Sequence, residues 1–354
     1  MKLIQRLYLR DFYALLLLIS VGLSCVFSLI DLIGKIDEFL PSKPSLGSLV
    51  LYAVLTLPKF FVYLLPMSVL ICSLFTFSQA SKRREIIAIK AAGGRLLTLS
   101  RPFVASGLLI SAIAFFVSEV ITPVFSTRAA ELRSMLAGKG KKTIFTEGAV
   151  WIKDRQGNPV KIDLFIPENE LARGITIFVR GEAFLTQTIH AQTAVWKKDR
   201  WVLENVSIHT NETGRRERFE RMEYLDLESP ELFSREMRTA EDMGIFELYR
   251  HMQRLKNAGV NAIKLVVDLN TRVSFPTINI FMMLLGISLA NRSGMGGGLF
   301  TAGLGLVISL AYWFSYTFSL SIGYAGIVPA GIAAWSVPVI FGSLAVYLFT
   351  TTPE

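Results

Sequence analysis

The chain has 354 residues, 52% of them hydrophobic and only 18% charged, with a formal net charge of +9 and a mean hydropathy of +0.46. Residues 293–353 hold no Asp, Glu, Lys or Arg, and residues 44–81 hold only Lys59. Such runs exclude a soluble enzyme, a disordered tail and a disulfide-stapled secreted module, because about 20 uncharged apolar residues already cross the hydrocarbon core of a bilayer.

The first apolar run, Phe12 to Ile33, follows Lys2, Arg6 and Arg10. A cleaved signal peptide would have a shorter apolar core and a small-residue cleavage site. This run continues into Gly34-Lys35-Ile36-Asp37-Glu38 without one, so it is expected to be a retained span. The second run, Leu46 to Ser78, is longer than a perpendicular crossing needs, and Pro58 and Pro66 predict a kinked or tilted helix. A third run extends from Pro102 to about Pro123. A polar insert of about 140 residues comes next, then a run from Val273 to Ala290 and an uncharged tail long enough for two more spans. Cys25 and Cys72 both fall in apolar runs and found no disulfide framework.

The predicted organisation is therefore six spans, three on each side of the insert. The N-terminal membrane half covers 1–124, with spans at about 12–34, 47–78 and 101–123 and a short helix at about 81–94. A β domain covers 125–243 and an interfacial helix with its linker 244–266. The C-terminal membrane half covers 267–354, with spans at about 270–290, 297–320 and 327–350. Residues 125–268 carry 23 Lys/Arg against 21 Asp/Glu, so the net positive charge belongs to the membrane part. With the N-terminus in the cytoplasm, ten short-loop Lys/Arg lie inside (Lys2, Arg6, Arg10, Lys82, Arg83, Arg84, Lys90, Arg95, Arg101, Arg292) against four outside (Lys35, Lys43, Lys59, Arg272). That bias puts both termini inside and the insert outside the cytoplasm.

The insert reads as all-β. Short runs rich in β-branched and aromatic residues recur between turn signals, and two hairpins are expected. One joins Thr193–Trp196 to Trp201–Leu203 across Lys197–Arg200. The other joins Val206–Thr210 to Arg218–Leu225 across Glu212-Thr213-Gly214. An antiparallel sandwich or jelly roll suits such a segment. Ile245, Leu248, Met252 and Leu255 then recur at helical spacing, predicting an amphipathic helix over about 244–258 that lies at the membrane surface.

The catalytic inventory is thin. His190, His209 and His251 are scattered, and no H-E-x-x-H, C-x-x-C or G-x-S-x-G appears. Gly138-Lys139-Gly140-Lys141-Lys142-Thr143 lacks the first glycine of a phosphate loop and falls in the non-cytoplasmic insert. Gly294-Met295-Gly296-Gly297-Gly298 suits a tight turn between spans.

Three features carry functional expectations. Ser81 to Gly94 spells a short amphipathic helix between two spans, with Ser81 as its cap, Glu85 near its positive end and Gly93 or Gly94 closing it. It suits a peg that docks in another protein's groove through Ile86 and Ile89; the alternative is a basic loop that only obeys the positive-inside rule. At the opposite end of the first two spans stand Lys35, Lys43 and Lys59. They are either interfacial anchors or a cationic mouth for anionic head groups, and Lys59, inside a run, is the hardest to treat as an anchor. Aromatic residues Tyr312, Phe314, Tyr316 and Phe318 of the fifth span, with Tyr63 of the second, either pack between helices or line an acyl-chain cavity.

Together these features resemble the LptF/LptG family of lipopolysaccharide export permeases, over essentially the whole chain. The resemblance rests most on Leu57-Pro58-Lys59 with Leu65-Pro66-Met67, on Arg84-Glu85 through Gly93, on Gly148-Ala149-Val150-Trp151-Ile152-Lys153-Asp154, and on the helix from Leu248-Tyr249 to Lys256-Asn257-Ala258-Gly259. The Trp-x-Lys-Asp run and the last helix look more like LptG than LptF. The resemblance implies a multi-pass inner-membrane subunit, with a periplasmic jellyroll-like domain between helices 3 and 4, both termini cytoplasmic, and no enzymatic chemistry or cofactor of its own. ATP and Mg would belong to an LptB-like ATPase dimer, the other partners being an LptF-like second permease subunit, an LptC-like periplasmic protein and lipopolysaccharide. Glu85, flanked by Arg84 and Ile86, matches the acidic residue of the family's coupling helix; Lys59 matches a phosphate-contacting lysine, and Lys35 lies beside a second. The family's further lysines would fall near Leu40 and Pro41, where Lys43 is the nearest substitute. Rival readings are a lipoprotein-release or FtsX-like permease, usually built with four spans, and a membrane scaffold that transports nothing.

Overall fold

The computed structural model describes residues 2–40, 43–94, 96–136, 143–146, 149–166, 170–180, 185–197, 200–210, 215–227, 230, 243–257, 262–292 and 298–351. The expected glycine turn at 294–298 and the Gly138–Lys142 loop lie largely outside them. Helices α1 (Lys2–Gly34), α2 (Ile36–Phe39), α3 (Leu46–Lys82), α4 (Glu85–Ala91), α5 (Leu96–Phe116) and α6 (Thr122–Leu136) precede seven strands. Helices α7 (Ile245–Asn257), α8 (Ile263–Arg292), α9 (Gly298–Tyr324) and α10 (Ala330–Thr350) come after them. The chain divides into two compact units: residues 1–133, 240–252 and 261–354, and residues 134–239 with 253–260.

Among the described residues, six helical stretches are long and apolar enough to cross a membrane, three before the strands and three after. The first four exceed the spans expected from hydropathy alone, because those helices run on past the apolar segment, whereas the last, Ala330–Thr350, begins three residues later than expected. At 37 residues, α3 is about 55 Å long at 1.5 Å per residue and keeps Pro58 and Pro66 inside it. In their most apolar stretches α3 and α8 bury 61% and 67% of their residues, whereas the corresponding stretches of the other four spans bury about a third or less. Close approach sets that central pair. A β-carbon built on Gly286 of α8 would lie 2.0 Å from Ser73 Oγ and 3.1 Å from the Leu70 carbonyl of α3. Small residues at such a crossing let backbones meet where lipid supplies no hydrophobic drive for association.

Between α5 and α6 the helix makes a π turn, Val117–Ile121. Its wider ring changes the carbonyl pairing, and both the amide and the hydroxyl of Thr122 donate to the Val117 carbonyl. Glu119 sits in this turn and forms an ion pair at 3.1 Å with Arg272 of α8, the side chains 8% and 12% exposed. The second Glu119 oxygen accepts from the Ile245 amide at 2.6 Å, so it caps the start of α7. Arg272 also donates to the Met243 carbonyl at 2.7 Å. Three chain segments thus meet on one buried charge pair.

In the second unit, β1 (Thr143–Thr146), β2 (Ala149–Lys153), β3 (Pro159–Ile166), β4 (Leu171–Arg180), β5 (Leu185–Lys197), β6 (Arg200–Thr210) and β7 (Arg216–Tyr224) form one antiparallel sheet. Both predicted hairpins form, with Trp196 opposite Trp201 and His209 opposite Arg216. The strands hydrogen-bond in chain order, a meander rather than the crossed order of a jelly roll, as short connections between successive strands favour. Inward alternation shifts by one residue along a row across four strands. Buried positions change from Phe165 to Ile162, from Ala172 to Ile175, from Ala191 to Ala194 and from Leu203 to Val206. At this row Gly174 and Asn205 adopt positive φ, +65° and +51°. A β-carbon on Gly174 would stand 2.4 Å from an Asp163 carboxylate oxygen, so both the backbone and the space there require glycine. The inward side chains on either side of the row nevertheless share one core around Trp201.

Asp154, from the Trp-x-Lys-Asp run, is a buried hub. Its carboxylate accepts from the Tyr224 hydroxyl at 2.7 Å, the Asn158 side chain at 2.9 Å and the amides of Gln156 and Asn158 at 3.0 and 2.7 Å. Burial first, and the Asp154 bond second, push the Tyr224 hydroxyl's pKa well above its usual value.

These buried charges set two expectations for stability. Glu119→Leu or Arg272→Met alone costs about 3 kcal/mol by stranding the other charge, and the double change recovers most of it; thermal unfolding in detergent measures both. Asp154→Asn replaces an acceptor with a donor facing donors and destabilises the β-domain transition by about 2 kcal/mol, read by denaturant unfolding of the full chain.

Candidate functional site

The predicted peg is α4, seven residues long, joined to α3 by a corner at Arg83-Arg84. Ser81 does not cap it. Helix α3 runs on to Lys82, so the Ser81 carbonyl instead accepts the Arg84 amide at 2.9 Å. Arg84 takes the N-cap position in the left-handed region, φ 57° and ψ 16°, without a side-chain cap bond. At the other end Gly93 has φ +77°. The Gly94 amide reaches the Ile89 carbonyl at 2.9 Å and the Gly93 amide the Lys90 carbonyl at 2.9 Å, a Schellman closure.

Burial sorts the faces of α4. Ile86 is buried within the helix core of this chain and Ile89 packs half-buried against it. Both therefore face inward, where the sequence reading had assigned them to a partner's groove. Ile87 is 62% exposed, and Arg84 and Ala88 are exposed beside it. Periodicity alone did not separate Ile86 from Ile87, since either can head an apolar stripe. Glu85 is held from two sides. Its Oε2 accepts the Tyr8 hydroxyl from α1, and its Oε1 lies 3.9 Å from the Arg83 guanidinium. Tyr8, 77 residues earlier in the chain, carried no sequence signal for this role.

At the opposite end of α1 and α3 lies the basic group. Lys35 is bonded to Asp31 at 2.7 and 2.8 Å and to the Tyr52 hydroxyl at 2.8 Å, and that hydroxyl donates to Asp31 at 3.1 Å. The fully buried Phe39 of α2 packs edge-on against the Tyr52 ring at 5.4 Å and pins the corner. Lys59 stands half-buried two turns along α3 from Tyr52, and both it and Arg133 of α6 lie within electrostatic range of Tyr52. Arg133 forms a bidentate pair with Glu38 at 2.8–2.9 Å. Lys43 is exposed, at φ 47° in the turn before α3. The structure thus gathers Lys35, Lys59 and Arg133 with Asp31 and Glu38. The sequence reading missed Arg133 because it counted as part of the polar insert, whereas α6 belongs to the helical unit through that residue.

The five aromatic residues do not share one face. Tyr312 and Tyr316 are buried and stacked, centroids 5.6 Å apart. Phe314 and Phe318 are 65% and 69% exposed on the other side of α9. Tyr63 is half exposed and stacks on Phe275 at 5.6 Å. The i, i+4 spacing of 312 and 316, and of 314 and 318, accounts for this split.

The arrangement joins a small, partly apolar helix behind a basic corner at one end of a membrane bundle to a mixed-charge cluster at the other. Among the described residues, neither end presents a nucleophile beside a base. No curated protein matches this chain. The sequence model for "Lipopolysaccharide export system permease LptF/LptG" matches residues 6–351. With its six candidate membrane helices and a β domain between the third and fourth, the chain belongs to the LptF/LptG family of lipopolysaccharide export permeases.

Proposed function

We propose that this chain is one of two permease subunits that extract lipopolysaccharide from the inner membrane, driven by a separate ATPase dimer that binds ATP and Mg. The observation that carries this reading is the pairing of the α4 peg with the charged cluster at opposite ends of the same two helices, α1 and α3. A device of that form converts a push at one end into a change of shape at the other, without chemistry of its own. Coupling then resides in two conformations whose relative stability nucleotide changes through the partner.

In this reading the α4 end faces the cytoplasm, as the ten-to-four lysine and arginine bias of the short loops supports. The docking face of α4 is Arg84, Ile87 and Ala88, with Glu85 at its edge. Lys59 and Lys35, with the exposed Lys43 in the turn before α3, receive the phosphates of the lipid head group; exchange of the Lys35–Asp31 pair for a phosphate partner keeps the Lys35 charge compensated. Tyr63, Phe314 and Phe318 are exposed and suited to acyl chains or to a second, LptF-like subunit, while Tyr312 and Tyr316 serve the packing of α9. The β domain hands the lipid to an LptC-like periplasmic partner. The Trp151-Ile152-Lys153-Asp154 run supports an LptG-like rather than LptF-like chain.

Glu85→Ala is expected to leave insertion and copurification of the second subunit intact while uncoupling ATP hydrolysis from lipid release; export at the normal rate refutes the role given to α4. Lys59→Ala is expected to reduce copurifying lipopolysaccharide several-fold with the ATPase still bound, as measured by quantitative mass spectrometry of the tagged complex.

A further inference from the structure

One row of side chains runs the length of α1 at every fourth residue: Tyr8, Phe12, Leu16, Ser20, Ser24 and Ser28 are all buried. A row at i, i+4 is one of the ridges that a helix sets into a neighbour's groove. Its first half is aromatic and bulky. Phe12 packs edge-on against Phe103 at 5.8 Å, and Phe103 against Phe77 at 4.8 Å. Its second half is serine, and Ser28 donates to the Ala53 carbonyl at 2.6 Å and meets Thr56 Oγ1 at 2.8 Å on α3. From Tyr8 to Ser28 the ridge rises about 30 Å, the thickness of the hydrocarbon core. Beyond it, Asp31 of α1 and Lys35, just past the end of α1, lead into the charged cluster.

At the α4 end this ridge terminates on the Glu85 carboxylate through the Tyr8 hydroxyl, and Gln5 donates to the Thr98 carbonyl at 2.8 Å at the start of α5. Glu85 remains partly accessible, its side chain 39% exposed. One oxygen is therefore committed inside the chain and the other is turned toward Arg83 and the surface. A partner cation that engages Glu85 changes the charge seen by the Tyr8 hydroxyl, and Tyr8 is locked by its ring into the ridge.

We propose that Tyr8 is a positioning residue for energy coupling: its hydroxyl orients the Glu85 carboxylate for the ATPase partner and ties α4 to α1, so that displacement of α4 is passed along the buried ridge to the Asp31–Lys35–Tyr52 cluster. This rests on the reading of α4 as the ATPase-docking helix. It assigns to α1 a task that packing alone does not need, since a phenylalanine at position 8 fills the same space without reaching Glu85.

The test uses the whole complex with its ATPase and second permease subunit, reconstituted in vesicles with lipopolysaccharide. ATP hydrolysed per lipid released is compared for Tyr8→Phe, Glu85→Gln and the double variant. Tyr8→Phe is expected to raise that ratio about tenfold, as loss of one hydrogen bond to a charged group allows, and the double variant to match Glu85→Gln, because both changes break one link. A raised ratio for Glu85→Gln beside an unchanged one for Tyr8→Phe overturns the role of Tyr8 and leaves the function of α4 standing. Additive effects, or a loss of complex yield, hydrolysis and release in equal proportion, make Tyr8 a structural residue and also overturn the proposal. Unchanged ratios in all three variants overturn the reading of α4 together with it.

Discussion

Helices inside a bilayer gain little by hiding apolar side chains from one another, because lipid tails are as apolar as leucine. Association must come from close packing and from polar groups that find no better partner. The bundle meets that constraint at its centre, where Gly286 lets α8 lie against Ser73 and Leu70 of α3. Around this pair the other long helices leave most of their surfaces outward, available to lipid or to a second subunit. Serines obey the same logic on α1, where Ser20, Ser24 and Ser28 bring the helix close to its neighbours and bond to backbone or hydroxyl oxygens.

Charge placement obeys a related rule. Three ion pairs compensate charges carried by or next to the long helices, as a low-dielectric medium demands most of the buried ones. Asp31 holds Lys35, Glu38 holds Arg133, and Glu119 holds Arg272. The last pair is the most buried and joins the π turn, the beginning of α7 and α8. A π turn inserts one residue into a helix and redirects the chain beyond it, and here it turns Glu119 toward its cationic partner. Such a pair adds little net stability but penalises any arrangement that separates its members.

Length, span count and the β character of the insert were legible in the sequence because each depends on local composition. Apolar runs of more than about 20 residues have few alternatives to a membrane helix, and the two hairpins arose from alternating residues around short turns. Gly93 closed its helix as its position beyond Lys90 suggested. The peg between the second and third spans was legible for the same reason, as a short amphipathic run between two apolar ones. Its N-cap was not: Ser81 belongs to the last turn of α3, whose continuation depended on packing rather than on capping preference.

The sequence alone determined the inventory of elements, the resemblance to the permease family and the identity of the residues with charge to place. Which of those residues meet was decided by the tertiary structure. Tyr8 and Glu85 lie 77 residues apart, Glu119 and Arg272 more than 150, and Glu38 and Arg133 about 95. Ile86 and Ile87 are adjacent and chemically identical, yet one enters the core and the other faces out. No periodicity in one helix contains the position of its neighbours, and side-chain partnership across a bundle depends on how the helices are rotated against one another. The physical reason is that local propensity acts over a few residues, whereas charge compensation and close packing select among arrangements of the whole chain.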